Sequence, residues 1–304
     1  MRIAVAGSGA MARYICDEFP KYGHEVVILS RSKKDAFENR PSITQVVTDY
    51  SVASLTAAIQ DCEMLISMIL SYTSEFIDVH RNLIQACQAS PKCKRFIPSE
   101  YGGDLENYPD IPLFYYHTRE PIRKVLREQT ELEWTLVSVG WLVDFVVPKQ
   151  NRYFGDIGET FAVNITDKKI DIPGTGKEVL DVTVARDLAK SLALLAEAPS
   201  WEPYTYISGE KTCWNDLANL VQQRWPGAWD VKYTGLGKIL DTIQTSTDEE
   251  EVLNCHYKLF VPLGAGHLDQ KKVEAHRQKF FPGLQFRTTR EIIDEVQKNP
   301  DVVV

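Results

Sequence analysis

The segment Gly7-Ser8-Gly9-Ala10-Met11-Ala12 constrains this chain more than any other. It follows a short apolar run at residues 2–6 and opens a helical pattern over 11–21. A Gly-x-Gly-x-x-Ala turn between a strand and a helix has a specific physical use. The first glycine permits a tight turn, the second lets backbone approach a pyrophosphate, and the small third residue lets helix and strand pack closely. Unpaired N–H groups and the dipole at the helix start then favour negative charge. Gly7, Ser8, Gly9, Ala10 and Met11 are therefore the candidate residues for a dinucleotide's phosphates.

The residues beyond this turn keep alternating between short apolar runs and longer amphipathic stretches. Residues 25–29 are β-branched and apolar, and 51–60 read as a helix whose N-cap is Ser51 or Ser54. Residues 64–69 form a continuous apolar run, as a strand buried on both faces requires. Residues 74–89 place Phe76, Val79, Leu83, Ile84 and Cys87 on one helical stripe. Strands are expected at 95–98 and 134–139, with a helix at 120–127 between them. Alternation of this kind predicts parallel βαβ units with right-handed crossovers. The expected fold is α/β, a Rossmann-type doubly wound parallel sheet.

After about Pro148 the texture changes to short strands at 160–165 and 169–172, a glycine turn at 173–176, and helices at 184–196, 213–225, 268–280 and 288–297. Part of 248–266 is expected to be a loop, with the run Asp248-Glu249-Glu250-Glu251 on a solvated face. The organisation read from these patterns is a dinucleotide-binding domain over 1–150. A smaller α+β substrate-binding part over 151–304 is interleaved with it rather than independent.

The end of the second strand selects the dinucleotide. An NAD enzyme would place an acid there to accept the ribose hydroxyl. This chain instead has Arg31, twenty-four residues beyond Gly7, with Lys33 and Lys34 close by. A guanidinium pairs well with a 2′-phosphate, so the expected cofactor is NADP(H).

Composition narrows the partners. A formal charge of −8 argues against nucleic acid and against an anionic membrane surface. No run of eighteen apolar residues occurs, and the N-terminus lacks a signal-peptide pattern, so a cytoplasmic location is expected. The six cysteines show no metal-ligand spacing and read as buried, reduced thiols. No metal site is expected, and the assembly is read as a monomer or homodimer acting on a small molecule.

Residues 95–103 read Arg-Phe-Ile-Pro-Ser-Glu-Tyr-Gly-Gly and resemble the "RFxPSEFG" segment of the isoflavone-reductase-like and NmrA-like proteins, an atypical branch of the short-chain dehydrogenases. Residues 122–126, 134–138, 181–189 and 280–289 resemble further stretches of that family, so the likeness spans nearly the whole chain. The resemblance implies a Rossmann domain with a small C-terminal substrate part. It implies NADPH-dependent reduction of small, often aromatic, secondary metabolites. Other members bind the dinucleotide without known chemistry and sense it for a protein partner. A redox-neutral cyclase or isomerase on the same fold is a third option.

Short-chain dehydrogenases donate a proton through Tyr-x-x-x-Lys, and the isoflavone-reductase-like branch keeps the Lys but usually loses the Tyr. Registering Ile122-Arg123-Lys124 on the family's helix puts Arg119 at the Lys position and Tyr115 at the lost Tyr. A guanidinium keeps its proton, so it is a poor acid, but it can stabilise an oxyanion or a phenolate. His117 is an alternative acid. The resemblance further assigns Ser67 and Met68, at the fourth strand's end, to the cofactor; Pro98 and Ser99, beyond the fifth strand's carboxyl end, are cofactor candidates by that position, with the substrate an alternative partner for Ser99. Glu100 either caps the next segment or acts as a base. Tyr101, Tyr116 and Trp141 are candidates for the substrate pocket, with an ordinary wall or core role the alternative for Tyr101 and Trp141.

Overall fold

The computed structural model describes residues 1–304. Strands β1 (Arg2–Ala6), β2 (Glu25–Ser30), β3 (Ile43–Val47), β4 (Met64–Ser67) and β5 (Arg95–Ile97) are followed by the short β6 (Tyr101–Gly102) and by β7 (Glu133–Trp134). Six of them form a parallel sheet in the order β3-β2-β1-β4-β5-β7. The order reverses beside β1, which opens a crevice beyond the strands' carboxyl ends where ligands of such sheets bind.

Alternation along β1 builds both faces of the sheet. Ile3 and Val5 enter one core with α1 (Ala10–Glu18), while Ala4 and Ala6 enter the other with α2 (Val52–Ala58), α3 (Glu75–Ala89) and α4 (Leu113–Glu128). Strand β4 is buried on both faces, which its unbroken apolar run requires.

The chain then passes through β8 (Leu136–Ser138), β9 (Trp141–Leu142), β10 (Val163–Asn164), β11 (Lys169–Pro173) and β12 (Val179–Thr183) into α5 (Ala185–Glu197). Helix α5 packs with α1 in the same core as Ile3 and Val5, and Phe280 and Phe281 join them. Strand β13 (Tyr204–Tyr206) pairs with β8, which also pairs with β6. The remaining elements are β14 (Glu210–Cys213), α6 (Trp214–Arg224), β15 (Asp230–Thr234), α7 (Leu236–Thr245), α8 (Glu249–Leu259), α9 (Gln270–Phe280) and α10 (Thr289–Lys298). Phe145, Phe161, Trp214 and Ile292 lie in a second core of this half.

Two sequence expectations need correction. Helix α4 starts at Leu113, seven residues before the expected 120, and carries Pro121 inside it. Proline removes the hydrogen bond to the carbonyl four residues back, that of His117, and its ring crowds the same carbonyl; His117 lies at the exposed surface. The run at 248–251 opens α8 rather than a loop. The Asp248 side chain accepts the backbone N–H groups of Glu250 and Glu251, and three glutamates occupy the first turn, where the helix dipole favours them. All six cysteines are free; five are buried and Cys213 is half-buried. No helix is long and apolar enough to cross a membrane.

Candidate functional site

Backbone builds one end of the crevice. Gly7 has φ +109°, and a Cβ there would lie 3.1 Å from the Met68 backbone. Its N–H is held by the Leu29 carbonyl at 2.9 Å, and the Met68 N–H by Ala6 at 2.7 Å. The turn is thus fixed between two strands. Gly9 caps α1 without any side-chain partner, and nothing lies within 4 Å of where its Cβ would be. The first N–H groups of α1 are left for a ligand. Beside them is a cleft of about 280 Å³ lined by Gly7, Ser8, Arg31, Lys34, Tyr50 and the 69–71 segment. These features fit a dinucleotide. Ala10 is half-buried at the helix start, whereas the Met11 side chain turns into the core, leaving only its backbone to face a phosphate.

Ser67 is fully buried beneath the crevice, where its carbonyl accepts the Tyr101 hydroxyl at 3.3 Å. Pro98 is buried, and the Ser99 N–H reaches His80 Nε2 at 3.4 Å. His80 Nδ1 lies 2.8 Å from the Phe76 carbonyl, so this nitrogen carries the proton and Nε2 accepts. Burial holds the His80 imidazole neutral, with its pKa lowered to about 3.

Side chains build the other end. Tyr115, Arg119, Ile122 and Leu126 share the inward face of α4 at helical spacing. The Arg119 guanidinium is 3% exposed, lies 3.7 Å over the Phe76 ring and 4.4 Å from that of Tyr115, and donates to the Ser71 carbonyl at 2.7 Å. Phe76 also stacks on His80 at 3.7 Å. Two groups that close must occupy opposite faces of Phe76, so Arg119, Phe76 and His80 form one column. No carboxylate forms an ion pair with Arg119. Burial lowers its pKa, yet a guanidinium keeps its proton, so the site holds a desolvated cation supported by ring faces.

The Tyr115 hydroxyl is 2.5 Å from that of Tyr257, which is 2.9 Å from Tyr72. Each hydroxyl has one proton and two lone pairs, so Tyr257 donates to at most one of these neighbours. Burial raises the Tyr115 and Tyr257 pKa values well above the ordinary phenol range, and both are neutral acids at physiological pH. Trp141 packs 5.7 Å from the Tyr257 ring, among Phe161, Trp214 and Phe260, and its indole N–H is buried without a partner. Helix α8 is clamped to the C-terminal half by Lys258 on Asp171, 2.7 Å, and Asn254 on Thr160, 2.7 Å.

Tyr116 and His117 are not brought to this site. They lie on the exposed face of α4 beside Arg81, Glu120 and Lys124. Glu100 forms a buried pair with Arg123, whose Nε is 2.7 Å from one carboxylate oxygen. Sequence reasoning missed Tyr72, Glu75, His80 and Tyr257. Only Tyr257 had a signal, since reading the acidic run as a helix start would have placed it on a helix.

The fold and the crevice define a dinucleotide-binding α/β protein. A sequence profile described as NAD(P)H-binding matches residues 6–170. Oxidoreductase swnR is 49% identical over 307 residues in Metarhizium robertsii and 47% identical over 306 in Arthroderma benhamiae, each match covering 100% of both chains. An isoflavone reductase homologue (A622-like) from Nicotiana tabacum is 24% identical over 256 residues, 73% of this chain and 80% of that protein. The fold matches leucoanthocyanidin reductase from Vitis vinifera in its binary complex with NADPH, with TM-score 0.76, 16% identity, and coverage of 97% and 99%. The chain belongs to the isoflavone-reductase-like, NmrA-like family of NAD(P)H-binding proteins. It is an NADP-dependent oxidoreductase, and NADP(H) is its cofactor.

Proposed function

We propose that this oxidoreductase reduces a small aromatic or related secondary metabolite, with Tyr115 as the proton donor and Arg119 as the charge that stabilises the reaction. NADPH, when bound, supplies a hydride from nicotinamide C4 to an electron-poor carbon of the substrate. The observation that carries the reading is Arg119, a buried guanidinium without a carboxylate partner, set against the ring of a protonated tyrosine. A fixed cation in a water-poor site is worth most where negative charge develops during reaction. Tyr115 gives its Oη proton to the substrate, and Arg119 and the Tyr257 hydroxyl support the phenolate left behind. Support for the substrate class comes from Phe114 and Tyr257, which pack on Tyr115, and from Trp141, which packs on Tyr257. It comes also from relatives named for isoflavone and leucoanthocyanidin reduction.

The test is Tyr115→Phe. Reductase turnover is expected to fall by roughly two orders of magnitude, with NADPH binding nearly unchanged. Undiminished turnover would remove Tyr115 from the chemistry. Because Arg119 retains its proton, protons here move through tyrosine hydroxyls, and a redox-neutral rearrangement is the second use of the same residues. A product without two added hydrogens would select it.

A further inference from the structure

The cleft beside the glycine turn carries one acidic side chain, Glu75, the first residue of α3. Its carboxylate pairs with the Arg31 guanidinium from across the cleft. Arg31 also lies 5.8 Å over the Tyr50 ring, and the Tyr50 hydroxyl is fixed to the Leu29 carbonyl at 2.7 Å. The arginine therefore sits over a rigid aromatic ring with Glu75 as its ionic partner.

We propose that Glu75 is a specificity-determining residue that competes with the cofactor's 2′-phosphate for Arg31, so that the Arg31–Glu75 pair, and not Arg31 alone, sets the preference for NADPH over NADH. This rests on reading Arg31 as the partner of that phosphate. Both side chains are more than half exposed, at 64% and 52%, so the ion pair is weak and a dianion can displace it. Displacement does not remove the carboxylate, which stays at the cleft wall and repels the phosphate. Lys34, also in the cleft and without an ion-pair partner, keeps the balance in favour of the anion. NADH meets the opposite situation. Its ribose hydroxyls are hydrogen-bond donors, and the Glu75 carboxylate, still paired with Arg31, has lone pairs left to accept them.

The wild-type protein, Glu75→Gln and Arg31→Ala are titrated with NADPH and NADH, and with 2′,5′-ADP and 5′-AMP, which isolate the phosphate from the nicotinamide. Glu75→Gln is expected to raise the NADPH-to-NADH affinity ratio by roughly fivefold, and the adenylate ratio alike, the size of an exposed charge interaction. The gain is expected to shrink as salt is added. Arg31→Ala is expected to bring both ratios close to one. If Arg31→Ala lowers the ratios but Glu75→Gln leaves them unchanged or lower, the competition is overturned while the role of Arg31 stands. If Arg31→Ala changes neither ratio, the reading of Arg31 fails, and the proposal with it.

Discussion

The two ends of the crevice are built by different means. At the glycine turn the site is backbone: a left-handed Gly7, an uncapped helix start at Gly9, and a strand end pressed against them. At the tyrosine end it is side chains from elements far apart in sequence. Tyr115 and Tyr257 are separated by 142 residues, and Tyr72 and Tyr257 by 185. A backbone site writes itself into local sequence, because only certain residues tolerate its torsions and close approaches. A side-chain site assembled by tertiary packing leaves no local mark.

The sharpest way to break this contrast is at Gly7. A β-carbon would bring strain at positive φ together with pressure on the Met68 backbone. Gly7→Ala is expected to weaken NADPH binding by about tenfold to a hundredfold, from a strain of roughly 1–3 kcal/mol. Fluorescence titration measures the affinity, and circular dichroism checks that the fold persists. Unchanged affinity would mean the turn does not define the cofactor end.

At the other end the expected effect of one partner is smaller. Tyr257→Phe removes a single hydroxyl while leaving Trp141 its aromatic neighbour. Turnover is expected to fall by about tenfold, the loss of roughly one hydrogen bond to a charged group. The loss should appear in kcat rather than KM, since the phenolate it supports exists only after proton transfer. A change confined to KM would make Tyr257 a pocket wall instead.

These contrasts explain what could be read in advance. The strands of the parallel sheet beside β1 were legible because burial on both faces demands continuous apolar runs, as at Met64–Ser67. Strand β3 was not, because at the sheet edge its exposed Thr44 and half-buried Gln45 break the pattern. Arg119 and Tyr115 were singled out through likeness to a family helix, and the structure adds the Phe76 ring, stacked on His80, over which the Arg119 guanidinium lies. Tyr116 and His117 were misplaced because one residue's step along a helix turns a side chain by about 100°. Only knowing which face of α4 is buried separates them from Tyr115. Helix α8 was obscured by its acidic start, which reads as solvated loop unless Asp248 is recognised as a cap.

An effect of a different kind concerns stability. His80 has its pKa lowered to about 3 in the fold, against about 6.5 unfolded. The unfolded chain therefore takes up a proton first as pH falls. The stability His80 retains above pH 6.5 is lost below it, at up to about 1.4 kcal/mol per pH unit. Asp144, buried and raised to about 6, acts in the opposite sense, binding a proton in the folded state first. The two are separated by difference. Urea unfolding of wild type and His80→Gln between pH 7.5 and 4.5 should give a shallower acid limb for the variant. Parallel limbs would show that His80 titrates equally in both states.

The central claim is tested most directly by product analysis with the reduced cofactor. Wild type and Tyr115→Phe are incubated with NADPH and a panel of aromatic enones, ketones and imines, following reduced-nicotinamide absorbance and product mass together. The account predicts substrate-dependent NADPH loss matched by a two-hydrogen mass gain in wild type, and roughly a hundredfold slower conversion in the variant. Equal rates in the two proteins, or conversion of a panel compound without NADPH loss, would contradict it.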